Sequence, residues 1–387
     1  MLDRKLGSKI RESAEKLPII VVTGPRQSGK STLIRALFPD HIYQNLEDPE
    51  LRQFANSDPK GFLGSNDSKM ILDEVQNVPQ LLSYIQVITD QAKIPGQFIL
   101  SGSQNLLLME GVSQSLAGRI TLFNLLPFSL EEIHDTPYRL ASFEEYILKG
   151  FYPRIYDMDL DPTKWLQDYL KTYVERDVRQ LLNIGNLHTF RQFLEICAGR
   201  IGQLVNFTEI GNQIGVSYQT VNNWISILET SFVCYTLRPY HKNFNKRIVK
   251  SPKLYFYDTG LACALLNLRS VQDLNRHFAK GALFENFIIN EVLKNQLNRE
   301  LSPKNFFWNA AGSREIDLIM DVGGKLIAAE IKSSRTLNSH FFDSLTYFQT
   351  VSGTPPEDSF LIYGGDENQK RSAANVINWQ TLSSLPY

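Results

Sequence analysis

The chain has 387 residues, 43% of them hydrophobic and 21% charged, with 40 basic against 41 acidic side chains and a net charge of −1. That composition is ordinary for a soluble globular chain, and the length suits two or three domains. The even charge balance excludes binding through a global basic field, so any affinity for nucleic acid must come from a local patch.

Three scattered cysteines, Cys197, Cys234 and Cys263, lack metal-site spacing and read as reduced core residues. No apolar run approaches membrane-spanning length, and the charged N-terminus has no signal-peptide core, so the expectation is a cytoplasmic protein.

Residues 1–16 suit a short amphipathic helix through Leu2, Leu6 and Ile10. An apolar run from Ile19 to Val22 then stops at Gly24, Pro25, Arg26, Gln27, Ser28, Gly29, Lys30, Ser31 and Thr32, and a helical pattern (Leu33, Ile34, Leu37, Phe38) follows at once. Strand, glycine-rich turn and helix N-terminus come in the order a phosphate site requires. Gly24 and Gly29 let successive N–H groups curl inward as an anion cradle, and the helix adds the positive end of its dipole. Lys30 would reach the β- and γ-phosphates, and the Ser31 hydroxyl would ligate Mg²⁺. The stretch predicts a nucleoside triphosphate site, for ATP with Mg²⁺.

A short strand near Ile42 leads into a helix opening at Asp48-Pro49. Met70, Ile71 and Leu72 form a buried strand ending in Asp73-Glu74. This matches a Walker B pattern, with Asp73 holding the metal shell and Glu74 orienting the attacking water. A third buried strand, Gln97 to Ser103, ends in small polar residues. Ser103 is the candidate γ-phosphate sensor, with Ser101 and Gln104 as alternatives. Arg119 stands just before a further strand, where it either stabilises transition-state charge across a subunit interface or pairs with an acid on the surface.

The ordered set TGPRQSGKSTL, ILDEVQ, LSGSQ, SLAGR, LPFSLEE and KGFYPR resembles a group of bacterial and archaeal AAA-type ATPases fused to a C-terminal domain of poorly defined function. The resemblance spans essentially the whole chain. It implies a helical lid whose Gly-containing turn sits near the adenine. Gly150-Phe151-Tyr152-Pro153 matches that turn loosely, which makes Pro153 and Arg154 nucleotide-contact candidates. It also implies a homo-oligomer, with a hexameric ring as one possibility.

Residues from Thr163 to Ile196 read as helical. FTEIGNQIGVSYQTVNNWISILETSFV then reads as helix, turn at Gly215, and a second helix capped by Ser217, the spacing of a helix-turn-helix. Tyr218, Gln219, Thr220 and Asn223 remain outward on the second helix. A hairpin wing follows, carrying Arg238, Lys242, Lys246, Arg247, Lys250 and Lys253 without an acid and with Tyr240 and Phe244 interleaved. The expectation is DNA binding by structure or backbone rather than strict sequence, with protein contact as the other use of such a module.

From Lys280 an amphipathic helix bearing Glu285 leads into strand, loop and a β-hairpin over Gly323-Gly324. A two-residue turn pairs Val322 with Lys325, which sets Asp317 opposite Glu330, with Lys332 on the same face. Two carboxylates and a lysine so placed suit a Mg²⁺-dependent phosphodiesterase, Asp317 and Glu330 holding metal. The set is similar to the PD-(D/E)xK nuclease family, whose helix contributes a further acid, here Glu285; Ile316 stands where the family name has proline. The tail is expected to add a helix, a strand and a last helix.

The expected fold is α/β: a P-loop AAA-type core (1–130), a helical lid (131–200), a winged helix-turn-helix (201–262) and a restriction-endonuclease-like domain (275–387). The expected function is an ATP-hydrolysing, DNA-binding motor or remodeller acting on junctions or ends, with cleavage an open addition. The alternative is a nucleotide-controlled oligomeric switch whose C-terminal domain is an effector or protein-binding module.

Overall fold

The computed structural model describes residues 2–65, 67–103, 116, 118–174, 187–240, 251–310 and 314–387. Gln104, Phe244 and the expected DNA contacts Lys242, Lys246, Arg247 and Lys250 lie outside the described residues.

Five strands, β1 (Ile19–Thr23), β2 (Ile42–Asn45), β3 (Met70–Asp73), β4 (Phe98–Gly102) and β5 (Ile120–Asn124), form an all-parallel sheet in the order β2-β3-β4-β1-β5. The central strands are continuous apolar runs because helices cover both faces. Successive side chains serve opposite cores. Ile19, Val21, Leu72 and Leu100 pack with Leu82 and Ile85, while Ile20, Val22, Ile71 and Ile99 pack with Leu6, Ile10, Leu33 and Ile34. β4 separates β1 from β3, so its polar end comes up between the glycine-rich turn and Asp73. All five carboxyl ends share one edge, where ligands of open α/β sheets bind.

A second sheet has eight strands in the order β12-β13-β11-β10-β9-β8-β6-β7. Its members are β6 (Cys234–Pro239), β7 (Lys253–Phe256), β8 (Asn305–Ala310), β9 (Arg314–Val322), β10 (Lys325–Lys332), β11 (Ser359–Tyr363), β12 (Gln369–Lys370) and β13 (Asn375–Asn378). The β6–β7 pair follows the helices Phe207–Ile214 and Tyr218–Thr230, and β6 runs parallel to β8, with the Tyr240 N–H donating to the Phe307 carbonyl at 2.6 Å. One apolar core therefore extends from Phe128 to Leu385, through helical residues within 130–199, the helix pair and the C-terminal sheet.

Two expectations change here. The helix Lys280–Asn298 is buried on nearly all sides rather than amphipathic, and Asn286, Asn290, Glu291 and Lys294 are inside. Its polar side chains find partners in the core: the Asn286 Oδ1 accepts the Phe256 N–H and its amide donates to the Phe256 carbonyl, both at 2.9 Å. The expected last helix is replaced by β12 and β13, because Val376 and Ile377 pair along β11 and bury there.

Candidate functional site

The glycine-rich turn curls as its sequence requires. Gly24 has φ +150°, and a Cβ there would meet the Leu125 carbonyl oxygen at 2.1 Å. Gly29, at φ +91°, caps the helix Lys30–Leu37. Lys30 is buried, and its Nζ donates to the carbonyls of Gly24 (2.9 Å) and Pro25 (2.8 Å). Burial lowers its pKa, opposed by the charges of Glu74 and Asp73.

At the end of β3, Asp73 accepts the Ser101 hydroxyl on Oδ1 (2.5 Å) and the Tyr43 hydroxyl on Oδ2 (2.7 Å). Burial and this carboxylate together push the Tyr43 pKa up, so its proton stays on the bond. Glu74 leaves the strand in a left-handed conformation, φ +54°, a strain of about 1 kcal/mol for a residue with a Cβ. Its Oε2 accepts the Ser103 hydroxyl (2.9 Å) and the Gln76 amide.

A cavity of about 880 Å³ opens on these groups. Arg26, Gln27, Gly29, Lys30, Ser31, Thr32, Asp73, Glu74, Pro153 and Arg154, all named from sequence, line it together. Ser28 is buried, and its hydroxyl has no hydrogen-bond partner among the described residues. Ser31 and Asp73 face one space, so the donor set fits a magnesium-bound polyphosphate. Tyr43, Asn45, Asp157 and Tyr173 also line the cavity and were not legible in sequence. Tyr43 sits one strand away from Asp73, which only the β2–β3 pairing reveals.

Ser101 and Ser103 donate to different carboxylates, those of Asp73 and Glu74, and the third sensor candidate, Gln104, lies outside the described residues. Arg119 precedes β5, at the end of the sheet away from the glycine-rich turn, and pairs with Asp90 at 2.5 and 3.0 Å. Tyr218, Gln219 and Asn223 are exposed on the second helix of the pair and Thr220 is half-buried. The Gln219 amide donates to Asn223 (3.1 Å).

In the C-terminal sheet, β9 and β10 pair Val322 with Lys325 and Leu318 with Ala329, a register that places Asp317 across from Glu330. Lys332 Nζ bonds Glu330 at 2.6 Å and lies 3.6 Å from Asp317, whose Oδ2 accepts the Ile331 N–H (2.8 Å). Glu285 comes in from its helix and accepts the Tyr255 hydroxyl (2.5 Å) and Lys253 Nζ (3.1 Å). Lys253 also pairs with Glu315 and is 2% exposed, so it is a counter-ion of this cluster and not a wing contact. Burial, then the Asp317 charge, pushes Glu330 up to about 8 and Glu285 up to about 7. The Glu330 Oε2 is buried and has no partner among the described residues, an atom suited to a cation or to a proton. Among the described residues no group of three or more acids, histidines or cysteines is placed to hold a metal ion. Lys332 stands between Asp317 and Glu330, and a divalent ion there would have to displace it.

Residues 16–134 match the AAA domain, residues 140–272 a domain of unknown function (DUF8612), and residues 280–382 a second domain of unknown function (DUF4143). An uncharacterized protein of Mycobacterium tuberculosis is 28% identical over 339 residues, covering 86% of this chain and 74% of its own length. One of Haemophilus influenzae is 22% identical over 361 residues, covering 86% of each. Among solved structures, the Walker-type ATPase of Pyrococcus abyssi is similar at 17% identity, over 69% of this chain and 96% of that one, with a TM-score of 0.42. The parallel sheet, the phosphate turn and the AAA match define the N-terminal part as a P-loop ATPase of the AAA type, and support ATP hydrolysis by this chain. Among the described residues no helix is long and apolar enough to cross a membrane.

Proposed function

We propose that this chain is an ATP-hydrolysing, DNA-binding motor or remodeller that works as a homo-oligomer on DNA structures such as junctions or ends. The observation that carries the ATP half is the convergence of Lys30, Ser31, Asp73 and Glu74 on one cavity. Magnesium, held by Ser31 and through Asp73, would neutralise phosphate charge as the γ-phosphoryl leaves. Lys30 exchanges its carbonyl partners for phosphate oxygens, and Glu74, aimed by Ser103, positions the water. Pro153 and Arg154 close the cavity from the lid side.

The DNA half is supported by the exposed Tyr218, Gln219 and Asn223, on a helix that follows another through the turn at Gly215. Arg119 would reach a neighbouring subunit's nucleotide only by giving up the pair it makes with Asp90. The test is the steady-state ATPase rate without DNA, with duplex, with single strands and with a four-way junction. Strong stimulation by one of these supports the reading; a flat response sinks it. Doping wild type with Arg119→Ala should depress the rate more than in proportion if the arginine acts in trans.

A second reading, a nucleotide-controlled switch with a C-terminal effector, is favoured by one observation. The acids of the C-terminal cluster already have Lys253 and Lys332 as counter-ions, as a binding module would keep them. Oligomerisation on ATP binding, with slow turnover indifferent to DNA, would select it. Cleavage is tested by plasmid nicking with Mg²⁺, compared with Glu330→Ala.

A further inference from the structure

Arg4 lies just ahead of the first helix, is 6% exposed, and holds three separate parts of the chain. Its Nη1 donates to the carbonyl of Ser28 in the phosphate turn (2.9 Å), and its Nη2 to the carbonyl of Leu126 (2.6 Å). Its Nε donates to Glu132 Oε1 (3.0 Å), and the guanidinium lies over the Phe128 ring, 5.0 Å from its centroid. Glu132 is itself fixed, accepting the N–H groups of Ser129 (2.8 Å) and Lys5 (2.9 Å).

The segment Arg4 grips is gripped from its other side by the helix Lys280–Asn298. Lys294 Nζ donates to the Phe128 carbonyl (2.8 Å) and to Glu291 Oε1 (2.7 Å), while Glu291 Oε2 accepts the Leu130 N–H (2.5 Å). All of these groups are buried. The same helix carries Glu285 into the C-terminal cluster. Buried, charge-assisted bonds from the phosphate turn and from that helix thus meet on one short backbone segment, Leu126 to Glu132.

We propose that Arg4 is a positioning residue for the phosphate turn and, through Phe128 and Lys294, couples nucleotide binding to the helix Lys280–Asn298. In a trans peptide the carbonyl of one residue and the N–H of the next point in opposite directions. Holding the Ser28 carbonyl outward on Arg4 therefore holds the Gly29 N–H toward the cavity, where a phosphate would accept it. Three acceptors in three directions call for a planar fork with five N–H donors, which lysine lacks. Any shift of the Ser28 peptide as phosphate binds reaches Leu126, Phe128 and Glu132 through one rigid group. From there Lys294 and Glu291 pass it to the helix.

The proposal rests on ATP binding at this turn, and the experiment separates the two. Hydrogen exchange of the full chain is compared with and without ATP, alongside hydrolysis by Arg4→Lys, Arg4→Met and Lys30→Ala. We expect nucleotide to slow exchange in the turn and also across residues 280–298. Arg4→Met should lose the second effect, raise KM for ATP and lower kcat about 10–100-fold, as for a misplaced binding group, with Arg4→Lys in between. Protection of the turn alone in the wild-type chain overturns the coupling, whatever the variants do. Unchanged KM and kcat in a folded Arg4→Met overturns the positioning role. Protection in neither place, matching Lys30→Ala, overturns the ATP reading and this proposal with it.

Discussion

At the end of β3 the carboxylates of Asp73 and Glu74 are held by hydroxyls, from Tyr43, Ser101 and Ser103, and the nearby Lys30 is turned onto backbone carbonyls. In the C-terminal sheet the carboxylates of Glu285, Asp317 and Glu330 are met by the ammonium groups of Lys253 and Lys332. A hydroxyl fixes a carboxylate's direction without cancelling its charge, whereas a lysine does both. The first site therefore keeps a negative field for a metal and a cation for phosphate, both facing open space. The second counters part of its charge from within, two lysines facing the carboxylates of Glu285, Glu315, Asp317 and Glu330, and the raised Glu330 and Glu285 can take up the remainder as protons. Similar residue types, at similar burial, give one site poised for outside charge and one closed on itself.

The largest effects should fall on the first site. Lys30→Ala removes the ammonium proposed to meet developing phosphate charge and should cut kcat about 10²–10³-fold. Glu74→Gln keeps the shape but not the base, and should lower kcat about 10²–10⁴-fold while nucleotide still binds. Single-turnover hydrolysis with a parallel nucleotide-binding titration reads both. Retention of turnover by Glu74→Gln would mean that another group orients the water, and the contrast between the two sites would lose its chemical basis.

The second site is broken with pH. Glu330 ionises near 4.5 in the unfolded chain and near 8 in the folded one, because burial and Asp317 disfavour its charge. Folding stability from this group is fully present below about 4.5 and is lost as pH rises toward 8, where the unfolded chain has already released the proton. Urea unfolding in chelator from pH 5 to 8.5 should show that decline in the wild type and a flatter curve in Glu330→Gln. The two should differ by about 1–3 kcal/mol in slope-integrated stability. If Mg²⁺ restores the loss at pH 8 in the wild type only, the cluster takes a cation after all and the two sites are alike. No response to Mg²⁺ leaves the lysines as the sole counter-charge.

These two regions were also legible to different degrees. The phosphate turn is written in consecutive residues, since Gly24 and Gly29 are demanded by backbone angles that only a local sequence can announce. The hairpin register was legible as well, because a two-residue turn at Gly323-Gly324 leaves one pairing. What stayed hidden are partners distant in sequence. Lys253 read as one more wing cation, but its place is fixed by Glu285 and Glu315, which the chain reaches only after the long helix. Arg4 lies in a segment whose sequence suggests only a short amphipathic helix, and its acceptors at Leu126 and Glu132 come over a hundred residues later. The polar residues of Lys280–Asn298 suggested a solvent face by periodicity. Periodicity cannot foresee that Phe256 offers its backbone to Asn286.

The smallest effect, and the finest test of how hydroxyls hold the first site, is at the two serines of β4 and its end. Ser103 donates to Glu74 Oε2, an oxygen that the Gln76 amide also covers, so Ser103→Ala removes one of two supports. It should lower kcat only about fivefold, the equivalent of about 1 kcal/mol for one hydrogen bond, with KM unchanged. Ser101 instead donates to Asp73, the residue proposed to stand beside the magnesium, and Ser101→Ala should appear as a weaker Mg²⁺ requirement curve and recover at saturating Mg²⁺. Both variants are measured against Mg²⁺ concentration. If Ser101→Ala stays slow at saturating Mg²⁺ while Ser103→Ala is indistinguishable from wild type, the sensor is Ser101. The hydroxyl that matters is then the one set between β1 and β3, where β4 places it, rather than the one at the strand's end.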